Sequence, residues 1–209
     1  MVPLVNAARR AAELKAGGDA VQAELAAALD RAAVEAAEAL RPYATVATFS
    51  RSSSVVAAVQ RIAEREDGSL RAVFVGASMP GGEGVSAAEL ISSATGATLA
   101  RSAQSPRDHN SSERDNLAVS VLPDDQLEQR ISDRKVDVLV LGADAVLRGG
   151  TVVNKAGSAR LARACARAVP PIPVVVVADQ FKAWDDDCPP CLEEAFEVVP
   201  HDLISKVVG

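Results

Sequence analysis

Val136-Asp137-Val138-Leu139-Val140-Leu141, running straight into Gly142-Ala143-Asp144, is the stretch that decides the fold. Apart from Asp137 it is continuously apolar and rich in branched residues, where a strand with one wet face would alternate apolar and polar positions. Val174-Val175-Val176-Val177 repeats the pattern. A strand of this kind is buried on both faces, as happens when helices cover both sides of a parallel sheet.

Working outward, further β-prone runs lie at 44–49, 71–76 and 117–122, and helix-like segments begin near Ser54, Val85, Asp124 and Gly157. Strands alternating with helices of this length predict right-handed βαβ units and an open parallel sheet. Upstream, residues 7–40 are rich in Ala, Leu and Glu. Gly17-Gly18 breaks them into two helices, and Leu25, Leu29, Ala32, Ala33 and Ala36 recur at helical spacing in the second, which Pro42 ends. The expected organisation is a helical N-terminal segment, 1–42, before a Rossmann-like, doubly wound α/β domain, 43–209. The polar run 101–116 breaks the rhythm and reads as an inserted surface loop.

With 209 residues, 48% hydrophobic and 24% charged, the chain can bury a substantial core. Its net charge is −6 and its 22 Lys and Arg are dispersed, which argues against a nucleic-acid groove but leaves room for a local anion pocket. No stretch approaches the ~20 apolar residues that cross a bilayer, so no membrane partner is expected. Residues 1–15 carry Arg9, Arg10 and Glu13 where a signal peptide needs an apolar core, so the expected location is cytoplasmic. Of the three cysteines, Cys188-Pro-Pro-Cys191 has the spacing of half a zinc site, but the only histidines are His109 and His201 and no second ligand pair exists. The cysteines read as plain thiols, and neither metal nor cofactor is expected.

Ligands of open parallel sheets sit beyond the carboxyl ends of the strands, where helix N-termini present free amides. Two stretches in that position carry anion-binding chemistry. Ser50-Arg51-Ser52-Ser53-Ser54 places hydroxyls and a guanidinium before a helix, although Ser53 or Ser54 acting as an ordinary helix cap accounts for part of it. Asn154-Lys155-Ala156-Gly157-Ser158 adds a cation and a small-residue helix start, a second phosphate-cradle pattern. Asp144 ends an apolar strand, where a general acid/base role and an Asx turn or helix cap are both open readings.

The string Gly142-Ala143-Asp144-Ala145-Val146, then Gly149-Gly150-Thr151-Val152-Val153-Asn154-Lys155-Ala156-Gly157-Ser158, resembles a signature of the family joining the regulatory subunits of translation initiation factor 2B to sugar-1-phosphate isomerases. Ser78-Met79-Pro80 with Glu83-Gly84, Asp179-Gln180-Phe181-Lys182, and the closing run 196–204 are similar to further family segments in the right order. Pro3-Leu4-Val5-Asn6 looks like the family's linking helix. The resemblance implies a homodimer and a pocket for a phosphorylated sugar or nucleotide, with Ser50, Arg51, Ser52, Ser53, Glu83, Gly84, Asn154, Lys155, Gly157, Ser158 and Lys182 as its ligand contacts. It also implies a preceding helical domain that closes over the ligand; this sequence starts almost where that domain would end, so a more open pocket is expected. Family isomerases pair a cysteine of the first loop with the aspartate of the GAD motif. Here Asp144 matches the aspartate, Ser50 stands in the cysteine's place, and Met79 replaces an arginine. A hydroxyl is a far weaker acid than a thiol, and a thioether offers no guanidinium fork. The resulting expectation is a ligand-binding protein like an initiation factor 2B subunit with little or no isomerase activity. The alternatives are an active aldose-ketose isomerase on ribose 1,5-bisphosphate or methylthioribose 1-phosphate through Asp144 and Ser50, and an assembly subunit with a vestigial pocket.

Overall fold

The computed structural model describes residues 18–64, 69–100, 117–187 and 193–209. The first expected helix, Pro3-Leu4-Val5-Asn6, the polar run 101–116, His109, Cys188 and Cys191 lie outside the described residues.

Helix α1 (Gly18–Ala39) is followed by β1 (Thr45–Phe49), α2 (Ser53–Ala63), β2 (Ala72–Gly76), α3 (Glu83–Thr95) and β3 (Thr98–Ala100). Then come β4 (Ala118–Leu122), α4 (Asp124–Ser132), β5 (Val138–Gly142), β6 (Ala145–Leu147), β7 (Val152–Lys155), α5 (Ser158–Arg167), β8 (Val174–Val177), β9 (Ala183–Trp184), β10 (Phe196–Val199) and β11 (Lys206–Val208). Seven strands form one sheet in the order β11-β8-β5-β1-β2-β4-β3. Every pairing in it is parallel. The Rossmann-like α/β fold with a preceding helix, expected from the apolar runs, is borne out.

All of β5 and β8 is buried. Successive residues feed opposite cores: Val138 and Val140 join the cluster containing Ala32, Ala36, Val55, Val59, Ala87 and Ile91 from α1, α2 and α3. Leu139 and Leu141 join Leu127, Ile131, Leu161 and Ala162 from α4 and α5. The period-two geometry of a strand thus turns one apolar run into two half-cores. Asp137, the one polar residue of the run, lies outside this layer. Its carboxylate accepts from the Ala44 and Thr45 amides and from the Thr45 hydroxyl at 3.0, 2.8 and 2.8 Å, tying β5 to β1 at the edge away from the strand carboxyl ends.

The structure adds a second sheet that the sequence reading lacks. It has four strands in the order β10-β7-β6-β9, with β6–β7 and β7–β10 antiparallel. This sheet follows directly from the carboxyl end of β5. The chain runs β1 to β2 in one direction, then returns to place β5 on the other side of β1, so the strand order reverses between β1 and β5. A crevice at such a reversal is where doubly wound folds hold ligands.

Candidate functional site

The loop after β1 carries Ser50 in the left-handed region at φ +62°, 8% exposed. A side chain held there costs roughly 1–3 kcal/mol and persists only where the surroundings enforce it. The Ser50 amide donates to Gly76 O at 3.4 Å, binding this loop to the end of β2. Its hydroxyl has no hydrogen-bond partner among the described residues. Arg51 is exposed and also makes no ion pair among them. The cap of α2 is Ser52, whose Oγ accepts from Val55 N at 3.4 Å, and not Ser53 or Ser54 as the sequence suggested. A residue earlier wins because Ser52 is the last with extended backbone, φ −125°, the geometry an N-cap requires.

Asp144 emerges on the other side of the reversal. Gly142, just before it, is required by close approach, since a Cβ there would lie 2.3 Å from Ser52 Oγ. The two loops therefore touch. The Asp144 amide donates to Val153 O at 2.8 Å, opening the β6–β7 hairpin. Its half-buried carboxylate makes no hydrogen bond or ion pair among the described residues, so neither an Asx turn nor a helix cap accounts for it there.

The loop after β2 is built as tightly. Ser78 also has a positive φ, +61°, and is 1% exposed. Asp124, at the start of α4, accepts from the amides of Ser78 and Met79 at 2.8 and 3.1 Å, and so pins this turn. The sequence reading took Asp124 only as a helix start. Gly84 is the second glycine fixed by contact: a Cβ there would sit 1.9 Å from Gly76 O, so α3 starts flush against β2. That brings Glu83 to Lys155 at the end of β7, Nζ to Oε1 2.6 Å. The Lys155 hydrogen bond holds the Glu83 carboxyl below its usual range, against an opposing push from burial. Glu83 Oε2 and Ser78 Oγ are enclosed without a hydrogen bond, although Ser78 lies near enough to Glu83 to add slightly to that lowering.

The expected cradle at α5 is occupied from within. The amides of Gly157 and Ala159 donate to Glu197 Oε1 at 2.8 and 2.7 Å. Asn154 Nδ2 donates to Ser158 Oγ at 3.0 Å, and that hydroxyl donates to Lys155 O at 2.7 Å. Glu197 stands opposite Asn154 on β10 and was not among the expected site residues. Lys182 lies after β8, one strand further from the reversal, in a turn capped by Asp179, which accepts from Phe181 N at 2.9 Å. Ser50, Ser52, Glu83, Gly84, Asp144 and Lys155 therefore gather at the crevice, while Asn154, Gly157 and Ser158 are engaged in shaping α5. Among the described residues no group of three or more His, Cys, Asp or Glu could hold a metal, and no helix is long and apolar enough to cross a membrane.

Residues 110–187 match the model of the Initiation factor 2 subunit family, as the motif resemblance led one to expect. No curated protein matches by sequence. Among solved structures, the translation initiation factor eIF-2B of Pyrococcus horikoshii OT3 is 22% identical with a TM-score of 0.76, covering 100% of this chain and 74% of its own. The tetrameric eIF2B-beta2-delta2 complex of C. thermophilum is 18% identical with a TM-score of 0.66, covering 91% of this chain and 57% of the other. The 5-methylthioribose 1-phosphate isomerase of P. horikoshii OT3 is 18% identical with a TM-score of 0.58, covering 85% and 52%. These three likenesses show the fold. The chain spans little more than half the length of the latter two.

Proposed function

We propose that this chain, with its match to the Initiation factor 2 subunit family over 110–187, binds a phosphorylated sugar or nucleotide in the crevice between β1 and β5. In this reading it has little or no isomerase activity and works as a cytoplasmic homodimer, a regulatory protein of the initiation-factor kind. The observation that carries the binding reading is the loop after β1. Ser50, 8% exposed, offers a hydroxyl with no hydrogen-bond partner and Arg51 an unpaired guanidinium where α2 begins, and the amides of Ser53 and Ser54 have no acceptor among the described residues. A phosphate seated there receives charge-assisted hydrogen bonds and the positive end of the helix dipole. Lys182, in the turn after β8, adds positive charge one strand further from the reversal, and the charge of Lys155 is met by Glu83. The weak-catalysis reading rests on Ser50 in place of a thiol, because a serine hydroxyl without an adjacent base transfers protons poorly at neutral pH.

Saturable thermal stabilisation by AMP or ribose 1,5-bisphosphate, lost in Arg51→Ala, is the expected result. An ordinary enzymatic rate of phosphopentose conversion that disappears in Asp144→Asn would overturn it. One observation favours the second reading, an active aldose-ketose isomerase: the Asp144 carboxylate is half-buried, unpartnered and beside the Ser52 loop. Exchange of the substrate C2 proton with solvent, followed by NMR, separates the two. Asp144-dependent exchange supports the enzyme, and none supports the binder.

A further inference from the structure

The face of the sheet covered by α4 and α5 gathers cations from two distant parts of the sequence. α5 carries three arginines and no acidic residue, and its buried side is made by Ser158, Ala159, Leu161, Ala162, Ala164 and Cys165. Arg160, Arg163 and Arg167 therefore share the outward side at i, i+3 and i+7, and all three are exposed. Helix stability does not ask for this pattern. Arginines three and four positions apart repel, and Arg160 stands in the first turn, where the helix dipole disfavours a cation. The carboxylate that answers them is Glu128 of α4, shared between Arg160 at 3.4 Å and Arg167 at 3.6 Å. Arg163, between the two in sequence, has no ion pair among the described residues.

The cluster continues where these two helices end. Arg134 and Lys135 are exposed after α4, and the Arg134 guanidinium donates to Pro170 O in the loop that follows α5. Asp133, the acidic residue of that corner, accepts from Gln129 Nε2 at 2.8 Å. In the loop, Val169 is 87% exposed, more than any other large apolar side chain among the described residues, and Pro170 and Pro171 beside it are exposed too. An apolar group next to guanidiniums has the composition of a protein-docking surface, where arginine is enriched and a covered valine is a gain. In a chain of net charge −6, the complement of such a patch is a carboxylate, which a guanidinium can hold with two parallel hydrogen bonds. A phosphodiester backbone suits it less. It has nothing to lay on Val169, Glu128 stands among the arginines, and Phe74, which Arg130 covers, is too buried for a base to stack on. We propose that the outward side of α5, with Arg134, Lys135 and Val169, docks an acidic segment of a partner protein in which an apolar side chain accompanies the carboxylates.

Fluorescence anisotropy tests it with a short labelled peptide in which glutamates flank a central leucine, the same peptide with glutamine for glutamate, and an RNA oligonucleotide of equal charge. Arg163→Glu weakens the glutamate peptide at least about tenfold and Val169→Ser about threefold. Arg41→Glu, an equal charge change just after the helix on the opposite face of the sheet, alters binding less than about twofold. The glutamine peptide does not bind, and raising the salt from about 0.05 to 0.3 M weakens the glutamate peptide. No binding to wild type, or an equal loss in Arg41→Glu, overturns the proposal. RNA that binds more tightly than the peptide overturns the choice of a protein partner. Sedimentation of wild type and Arg163→Glu without peptide covers the remaining occupant, and the same result for both is expected. An assembly that Arg163→Glu dissociates would make this face a contact between copies of the chain and overturn the proposal as well. None of these outcomes bears on the phosphate site after β1.

Discussion

Two helix starts at the same edge of the sheet have similar sequences and opposite states. At α5, Glu197 accepts from two amides at 2.8 and 2.7 Å, and the neighbouring Ser158 and Asn154 are bonded to each other. At α2 the only cap is a 3.4 Å contact from Val55 N to Ser52 Oγ, and Arg51 stands exposed and unpaired among the described residues. Small and hydroxyl-bearing residues before a helix mark a place where an anion is welcome. They do not say whether the chain fills that place itself. At α5 it does, with a carboxylate from a strand of another sheet, and the start left open is α2.

Breaking that contrast begins where the largest effect is expected. Gly142→Ala puts a methyl 2.3 Å from Ser52 Oγ and 2.5 Å from Ser52 Cβ, so turning the hydroxyl away does not relieve it. The β1 loop has to shift, at a cost of about 3 kcal/mol, the upper end of ordinary overpacking. Urea unfolding measures it, and a loss below ~1 kcal/mol would mean that the two loops yield more easily than their contact implies. Next comes Glu197→Ala, which leaves two amides and the helix dipole unserved and destabilises by about 2 kcal/mol. The same variant turns α5 into an open start, so phosphate in the millimolar range recovers part of the lost stability, and more of it than in wild type. Equal phosphate effects in both proteins would end the contrast. Ser52→Ala is the milder counterpart at α2. Its hydrogen bond is long, and the loss is about 0.5 kcal/mol. A loss as large as that of Glu197→Ala would show that α2 is held as firmly as α5.

The fold was readable because β5 and β8 are apolar on both faces, and a fully buried strand has few other places to go. The start of α4 at Asp124 was readable too, since Pro123 and two acidic residues mark it. What escaped the reading depends on pairings between distant residues. Strands β6 and β9 have three and two residues, too few to show a period, and exist only because β6 pairs with β7 and β9 with β6. Glu197 looks like any polar residue of a closing strand until β10 pairs with β7 and sets it against Asn154. Asp124 reaches a turn 46 positions away, and that distance leaves no local trace. Within the site, the loops after β1 and β5 were located by fold logic alone. The ion pair between Glu83 and Lys155 was not, because each was read as a ligand contact in its own right and nothing in the spacing joins α3 to β7.

A third helix start on the same edge, that of α3, carries the smallest predicted effect and a sign that can be checked. Glu83 sits in its first turn, and the Lys155 hydrogen bond holds its carboxyl below its ordinary value near 4.5. A carboxyl whose folded pKa is depressed contributes stability that is fully present above the unfolded value and is lost as pH falls through the folded one. Wild type should therefore lose, on acidification from pH 7 to below about 4.5, a contribution that Glu83→Gln does not have. The gap in unfolding free energy between the two proteins should narrow over that interval. Salt-dependent screening keeps the effect modest, since both side chains retain access to water. Paired urea titrations at several pH values, with the same slope for both proteins, supply the measurement. A gap that stays constant into acid would mean that the pair contributes geometry but no charge-linked stability, and it would set the start of α3 beside that of α2 as one not closed by its own carboxylate.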